Sequence, residues 1–179
     1  MPIQALQDAI PDVAKDIRLN LSSVLTPEGS PGLTPKQIAV VALSCAYAVK
    51  NDKVVKGLRA FSRETLNDAE IRAAQSAASI MAMNNVYYRF IHLVSDKDYA
   101  TMPAKLRMSV IGNSGMERTD FELCSLAVSA INGCGMCMDA HARQLVNAGI
   151  TKEGVQSAVR IGAVITAANQ AIHIAALTS

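Results

Sequence analysis

The stretch "TPKQIAVVALSCAYAV", Thr34 to Val49, decides the fold class. Its opening Thr34-Pro35-Lys36-Gln37 is a helix start. The threonine oxygen accepts the N–H of the third helical residue, and the glutamine side chain returns to the threonine N–H. Proline is tolerated at the first helical position because that N–H has no partner within the helix. The apolar run that follows, Ile38 to Val49, covers twelve residues. That is too long for a typical strand and predicts a buried helix.

Working outward, helix signals recur and convincing strand signals do not. "TPEGSPG", Thr26 to Gly32, is a loop by composition, and "SDKDYATMP" and "GNSG" supply two more connections. "NDAEI" from Asn67 and "TDFEL" from Thr119 each set a capping residue three positions before a glutamate, so each predicts a capping box. Their offset is 52 residues and lays 67–89 over 119–141, with Glu70, Ala82, Asn85 and Arg89 over Glu122, Cys134, Cys137 and His141. Identities are few, and the internal repeat is correspondingly weak. Asn132-Gly133 signals a turn, and the proline-free residues after it predict a helix from Cys134 that Gly149 closes. Thr151 caps the last helix, in which Gly154 and Gly162 lower the propensity. The fold class is all-α, in one domain over residues 1–179.

Composition sets further bounds. Half the residues are hydrophobic, only 4% are aromatic and tryptophan is absent, so the core is built from Ala, Val, Ile, Leu and Met. A net charge of +2 without a long Lys or Arg run gives no footprint for nucleic acid. The start "MPIQALQDAIPDVAKDIRLNL" mixes charges among its apolar residues, unlike a secretory leader, and points to a cytoplasmic protein. Ile161 to Ser179 contains no charged residue, but Asn169, Gln170 and His173 lie within it. It predicts a buried or subunit-interface helix, not a membrane span. In a reducing compartment, four cysteines point to catalysis or metal binding and away from a disulfide framework.

The chemistry concentrates in "SAINGCGMCMDAH", Ser129 to His141. On a helix from Cys134, spacings of three, four and seven put Cys134, Cys137 and His141 on one face. Unpaired N–H groups at a helix start favour thiolate over thiol. Zinc would find three ligands here and a fourth in Cys124, His92 or His173, although structural zinc sites usually draw on a second closely spaced pair, which is missing. Covalent haem needs histidine directly after the second cysteine, where Met138 stands. A redox dithiol leads, as a general thiol–disulfide oxidoreductase or a more specialised enzyme, with a non-catalytic zinc-binding helical assembly protein as the rival. Cys124, Met81 and Met83 read as core packing, and His92 and His173 as ordinary helix residues. Locally Glu122 reads as a capping residue, and a hairpin at Asn132-Gly133 leaves it nearly a helix length from Cys134.

Glu122, eleven intervening residues, Cys134-Gly135-Met136-Cys137, three more and His141 together resemble the Glu-x11-Cys-x2-Cys-x3-His pattern of the alkyl hydroperoxide reductase D (AhpD) family, within the carboxymuconolactone-decarboxylase-like proteins. The resemblance extends through "KDIRLNLSSVL", "IMAMNNVYYR" and "FELCSLAVSAINGC". It implies an AhpD-like helical fold with a repeated helical unit, assembled as a homotrimer. It implies a peroxidase in which Cys137 is the peroxidatic cysteine and becomes a sulfenic acid, and Cys134 is the resolving cysteine that closes a Cys134–Cys137 disulfide. Cys134 would be the more exposed of the two and would take the attack of the reductant. His141 and Glu122 would form a proton relay. The implied reductant is dihydrolipoamide on a lipoyl-bearing acyltransferase of a 2-oxoacid dehydrogenase complex, with no bound cofactor and no metal. Met136 departs from members that carry histidine immediately before the second cysteine. Related decarboxylases lack this dithiol.

Overall fold

The computed structural model describes residues 3–178. The described residues form eight α-helices and no strand: α1 Gln4–Asp8, α2 Lys15–Val24, α3 Pro35–Val49, α4 Asp52–Ser62, α5 Asp68–Leu93, α6 Arg118–Ile131, α7 Gly135–Asn147 and α8 Lys152–Thr178. The decisive helix starts as its sequence dictates. Gln37 N–H donates to Thr34 Oγ1 at 3.2 Å, and Thr34 N–H donates to Gln37 Oε1 at 3.0 Å. Every residue from Ile38 to Ala46 is buried. The box at Asn67 and Glu70 also forms, with bonds of 3.0 and 2.9 Å.

The box predicted at Thr119 does not form. Helix α6 begins at Arg118 with Glu117 in the capping position and no side-chain cap, and Phe121 N–H bonds to Glu117 O. Glu122 is free of the helix end, and its carboxylate engages His141 instead. What fixes the start of α6 is a charged cluster. Lys36 Nζ lies 2.5 Å from Glu70 Oε1 and 4.0 Å from Asp120 Oδ2, while Gln37 Nε2 donates to Asp120 Oδ1 at 3.0 Å. Three helix starts are thereby tied together.

Helices α3 and α6 cross through the core and pack on each other, with α5 and α8 against both. The order of elements repeats, but not at the 52-residue offset. Along that offset, 68–89 is unbroken helix while its counterpart turns at 132–134. Instead α3 and α6 start 83 residues apart, α4 and α7 also 83, and α5 and α8 84. Burial follows this register. The inward residues Ala73, Ala74, Ala77, Ala78, Met81 and Asn84 of α5 answer to Ser157, Ala158, Ile161, Gly162, Ile165 and Ala168 of α8.

Helix α8 is long and apolar enough, by length and composition, to cross a membrane. Here its inner face packs on α2, α3 and α6. Its glycines permit that approach. A Cβ at Gly154 would stand 2.7 Å from Gly32 O, and one at Gly162 would stand 3.3 Å from Ala127 O. Gly32 itself has φ +80°, which disfavours other residues. Early in the chain a similar contact seats α1 on α4, where a Cβ at Gly57 would meet the Leu6 side chain at 2.8 Å.

Candidate active site

Helices α6 and α7 are joined by a tight turn through Asn132, Gly133 and Cys134. Gly133 adopts φ +68°, the left-handed conformation that glycine accepts at little cost, and Cys134 N–H reaches back to Ser129 O at 3.1 Å. Cys134 is the N-cap of α7, and its sulfur accepts Cys137 N–H at 3.3 Å. Cys134 and Cys137 are joined as a disulfide, with Cα atoms 5.3 Å apart. This fits the helix start read from the sequence and puts both sulfurs at the positive end of α7.

A polar clamp holds the turn against α5. Asn85 Nδ2 donates to Ser129 Oγ at 2.8 Å, Asn132 Nδ2 donates to Asn85 Oδ1 at 2.9 Å, and Arg89 donates to Asn132 O at 2.6 Å. None of these was singled out for this role by sequence reasoning. The available signal was Asn84-Asn85, two adjacent amides in a helix otherwise rich in Ala, Ile and Met. Such residues inside an inward-facing helix require partners.

Glu122 Oε2 lies 2.6 Å from His141 Nδ1, with the two side chains 8% and 13% exposed. Hairpin geometry explains the pairing. Glu122 stands ten residues before Asn132 and His141 nine after it, so the two lie level across α6 and α7. The sequence argument measured Glu122 against Cys134, whereas its neighbour is the histidine further down the facing helix.

Cys137 and His141 share a cavity of about 280 Å³ whose other walls are mostly apolar, with Met81, Tyr88, Met108, Ile111 and Met136 among them. Glu122 opens on the other side into a separate cavity of about 470 Å³, with Arg118 and Gln144 in its lining. The carboxylate–imidazole pair therefore links two spaces. Exposure of the sulfurs differs from what the resemblance implies. Cys134 is fully buried and Cys137 is 7% exposed, because the N-cap position turns the first sulfur under the helix start.

The other sequence candidates lie apart from this chemistry. Cys45 and Cys124 are free thiols in the core. Burial pushes both thiols up, Cys124 to about 12. His92 and His173 are exposed. Among the described residues no three His, Cys, Asp or Glu side chains gather where they could hold a metal ion. Met81 is buried as read, and it also walls the cavity.

Comparison with known proteins agrees with this layout. The carboxymuconolactone decarboxylase family model matches residues 97–179, which include the whole second helical unit and its cysteine pair. An alkyl hydroperoxide reductase AhpD of Rhodopseudomonas palustris is 54% identical over 92% of this chain and 90% of its own length. One from a Bradyrhizobium species (strain BTAi1) is 51% identical over 99% of this chain and 97% of its own. One from Coxiella burnetii is 49% identical over 91% and 92%. Identity of this order along nearly the whole chain, joined to an all-helical fold that brings Glu122 to His141 and Cys134 to Cys137, makes this protein a member of the AhpD family.

Proposed function

We propose that the protein is a thiol-dependent alkyl hydroperoxidase, reducing organic hydroperoxides and hydrogen peroxide through Cys137 and Cys134. The single observation that carries this reading is the cysteine pair opening, at Cys137, into an apolar cavity shared with a histidine that is bonded to a buried carboxylate. The names of the relatives point the same way.

In the reduced enzyme, the N–H groups at the start of α7 favour the Cys137 thiolate. With Nδ1 of His141 engaged by Glu122, Nε2 is the nitrogen left to exchange a proton within the cavity. The imidazole takes the thiol proton, and the thiolate attacks the terminal peroxide oxygen. The O–O bond breaks, the alkoxide takes the proton back from His141 and leaves as alcohol, and Cys137 becomes a sulfenic acid. The Cys134 thiol then displaces water from that sulfenic acid and closes the disulfide. Glu122 holds the ring in place, and the second cavity gives the carboxylate an exchange path to solvent that does not cross the substrate.

A dithiol must reduce the disulfide, and dihydrolipoamide on a lipoyl-bearing acyltransferase is the reductant we assign, with no cofactor resident on this chain. Cytoplasmic location accompanies that reductant. A homotrimer is the proposed assembly. In support, Val86, Phe90 and Leu93 of α5 and Ile174 and Leu177 of α8 are large apolar side chains left exposed on a single chain. Cumene hydroperoxide consumption that depends on dihydrolipoamide and vanishes in Cys137→Ser is the expected result. Full turnover by Cys137→Ser would overturn the reading.

A further inference from the structure

Asn84 and Asn85 are neighbours in α5 with opposite circumstances. Asn85 is satisfied at both ends of its amide by the turn that precedes Cys134. Asn84 is only 5% exposed, yet its Oδ1 has no hydrogen-bond partner among the described residues. A buried amide oxygen without a partner weakens a fold, so one that persists calls for a reason. Its position supplies one, since Asn84 lines the same 280 Å³ cavity as Cys137 and His141.

The internal repeat sharpens the contrast. At the 84-residue offset between α5 and α8, Met81, Asn84 and Tyr88 answer to Ile165, Ala168 and Ile172, all buried. On α8, which packs against the cysteine-free α4, the matching residues are all apolar. The amide appears only on α5, the helix packed against α7 and its cysteine pair.

We propose that Asn84 positions the hydroperoxide, an inference that rests on the peroxidase reading. Its side-chain amide donates from Nδ2, the end not enclosed with Oδ1, to the terminal oxygen of the substrate and presents that oxygen to Cys137 Sγ, while the alkyl group lies against Met81, Ile111 and Met136. As the sulfur attacks, the terminal oxygen keeps its hydrogen and becomes the sulfenic hydroxyl. The O–O electron pair departs with the alkoxide, which is protonated from His141. Sulfur is oxidised by two electrons and the peroxide is reduced to an alcohol. The same Asn84 hydrogen bond is available before and after oxygen transfer, so it guides the oxygen without having to be broken.

The two halves of the cycle are separable, and so the test separates them. Asn84→Leu and Asn84→Ala are compared with wild type in single-turnover oxidation of the reduced enzyme by cumene hydroperoxide, in reduction of the disulfide by dihydrolipoamide, and in thermal unfolding. Expected are a fall of about 10- to 100-fold in the oxidation rate constant, disulfide reduction within about twofold of wild type, and a Tm held or raised in the leucine variant, because the orphaned oxygen is gone. Oxidation within about twofold of wild type in both variants would overturn the proposal. So would a parallel loss of both half-reactions and of Tm, which marks a structural residue. A wild type inert to peroxide overturns the peroxidase reading and this inference together, whereas an active wild type with undiminished variants overturns this inference alone.

Discussion

Glu122 Oε2 stands 2.6 Å from His141 Nδ1 across the α6–α7 hairpin, with both side chains nearly buried. Such a pair acts as a unit. Glu122→Gln removes the carboxylate that orients the imidazole, and His141→Asn removes the proton carrier. Each is expected to slow peroxide-driven oxidation of Cys137 by roughly 100-fold, and the double variant to be little worse than the slower single one. Stopped-flow oxidation of the reduced enzyme measures all three. Multiplicative losses would mean that the two residues act separately.

The four cysteines should divide sharply in reactivity. Cys45 and Cys124 are fully buried with thiols held well above the ordinary value, so they present almost no thiolate near neutral pH. After mild reduction, iodoacetamide followed by peptide mass mapping should label Cys137 first and Cys134 more slowly. Cys45 and Cys124 should react only in denaturant. Prompt native labelling of Cys124 contradicts this account.

Gly154→Ala should destabilise the protein although alanine is the better helix former by about 1 kcal/mol. The added methyl meets the backbone of Gly32, which itself sits at positive φ and cannot readily yield. Overpacking of this kind costs about 1–3 kcal/mol. At Gly135 a Cβ meets nothing within 4 Å, so Gly135→Ala should leave stability unchanged or raise it. Urea unfolding of both variants gives the comparison.

Acid stability should depend on Glu70. Burial alone would raise its pKa, but the hydrogen bonds from Lys36 and from Asn67 N–H outweigh burial and hold it below the ordinary 4.5. Its contribution is therefore complete above pH 4.5 and is lost as pH falls through the lowered folded value. Asp120 runs in the opposite sense. Burial lifts it above 3.8 against the pull of Gln37 and Lys36, so its contribution is present below 3.8 and fades as pH rises through the lifted value. Tm measured against pH should fall on acidification below 4.5 in wild type and fall less steeply in Glu70→Gln. Equal slopes would remove Glu70 from this role.

Much of this architecture was legible because helix starts are local. The boxes at Thr34 and Asn67, the Asn132-Gly133 turn and the helix start at Cys134 each depend on a few consecutive residues, and the structure contains them all. Thr119 misled because the same local pattern also suits a carboxylate needed elsewhere. Only the facing helix reveals that Glu122 is committed to His141. The repeat was assigned at 52 residues from two similar caps, one of which does not form, whereas the register of 83 and 84 lies in helix lengths and burial with few shared residues. Asn84 and the clamp around Asn132 depend on contacts more than 40 residues apart, which no window along the chain contains.

The contact of Leu6 with Gly57 has a consequence for how one helical plan yields two outcomes. At the 83-residue offset Gly57 answers to Ala140, which lines the cavity of Cys137. In the first unit the chain lays its own isobutyl group against that position, and Leu6 is almost wholly enclosed there. Leu6 is in effect a tethered alkyl ligand, held against Gly57 by its own backbone. The second unit keeps the equivalent position unfilled for a visitor. Five residues of α1 thus separate a vessel from a wall.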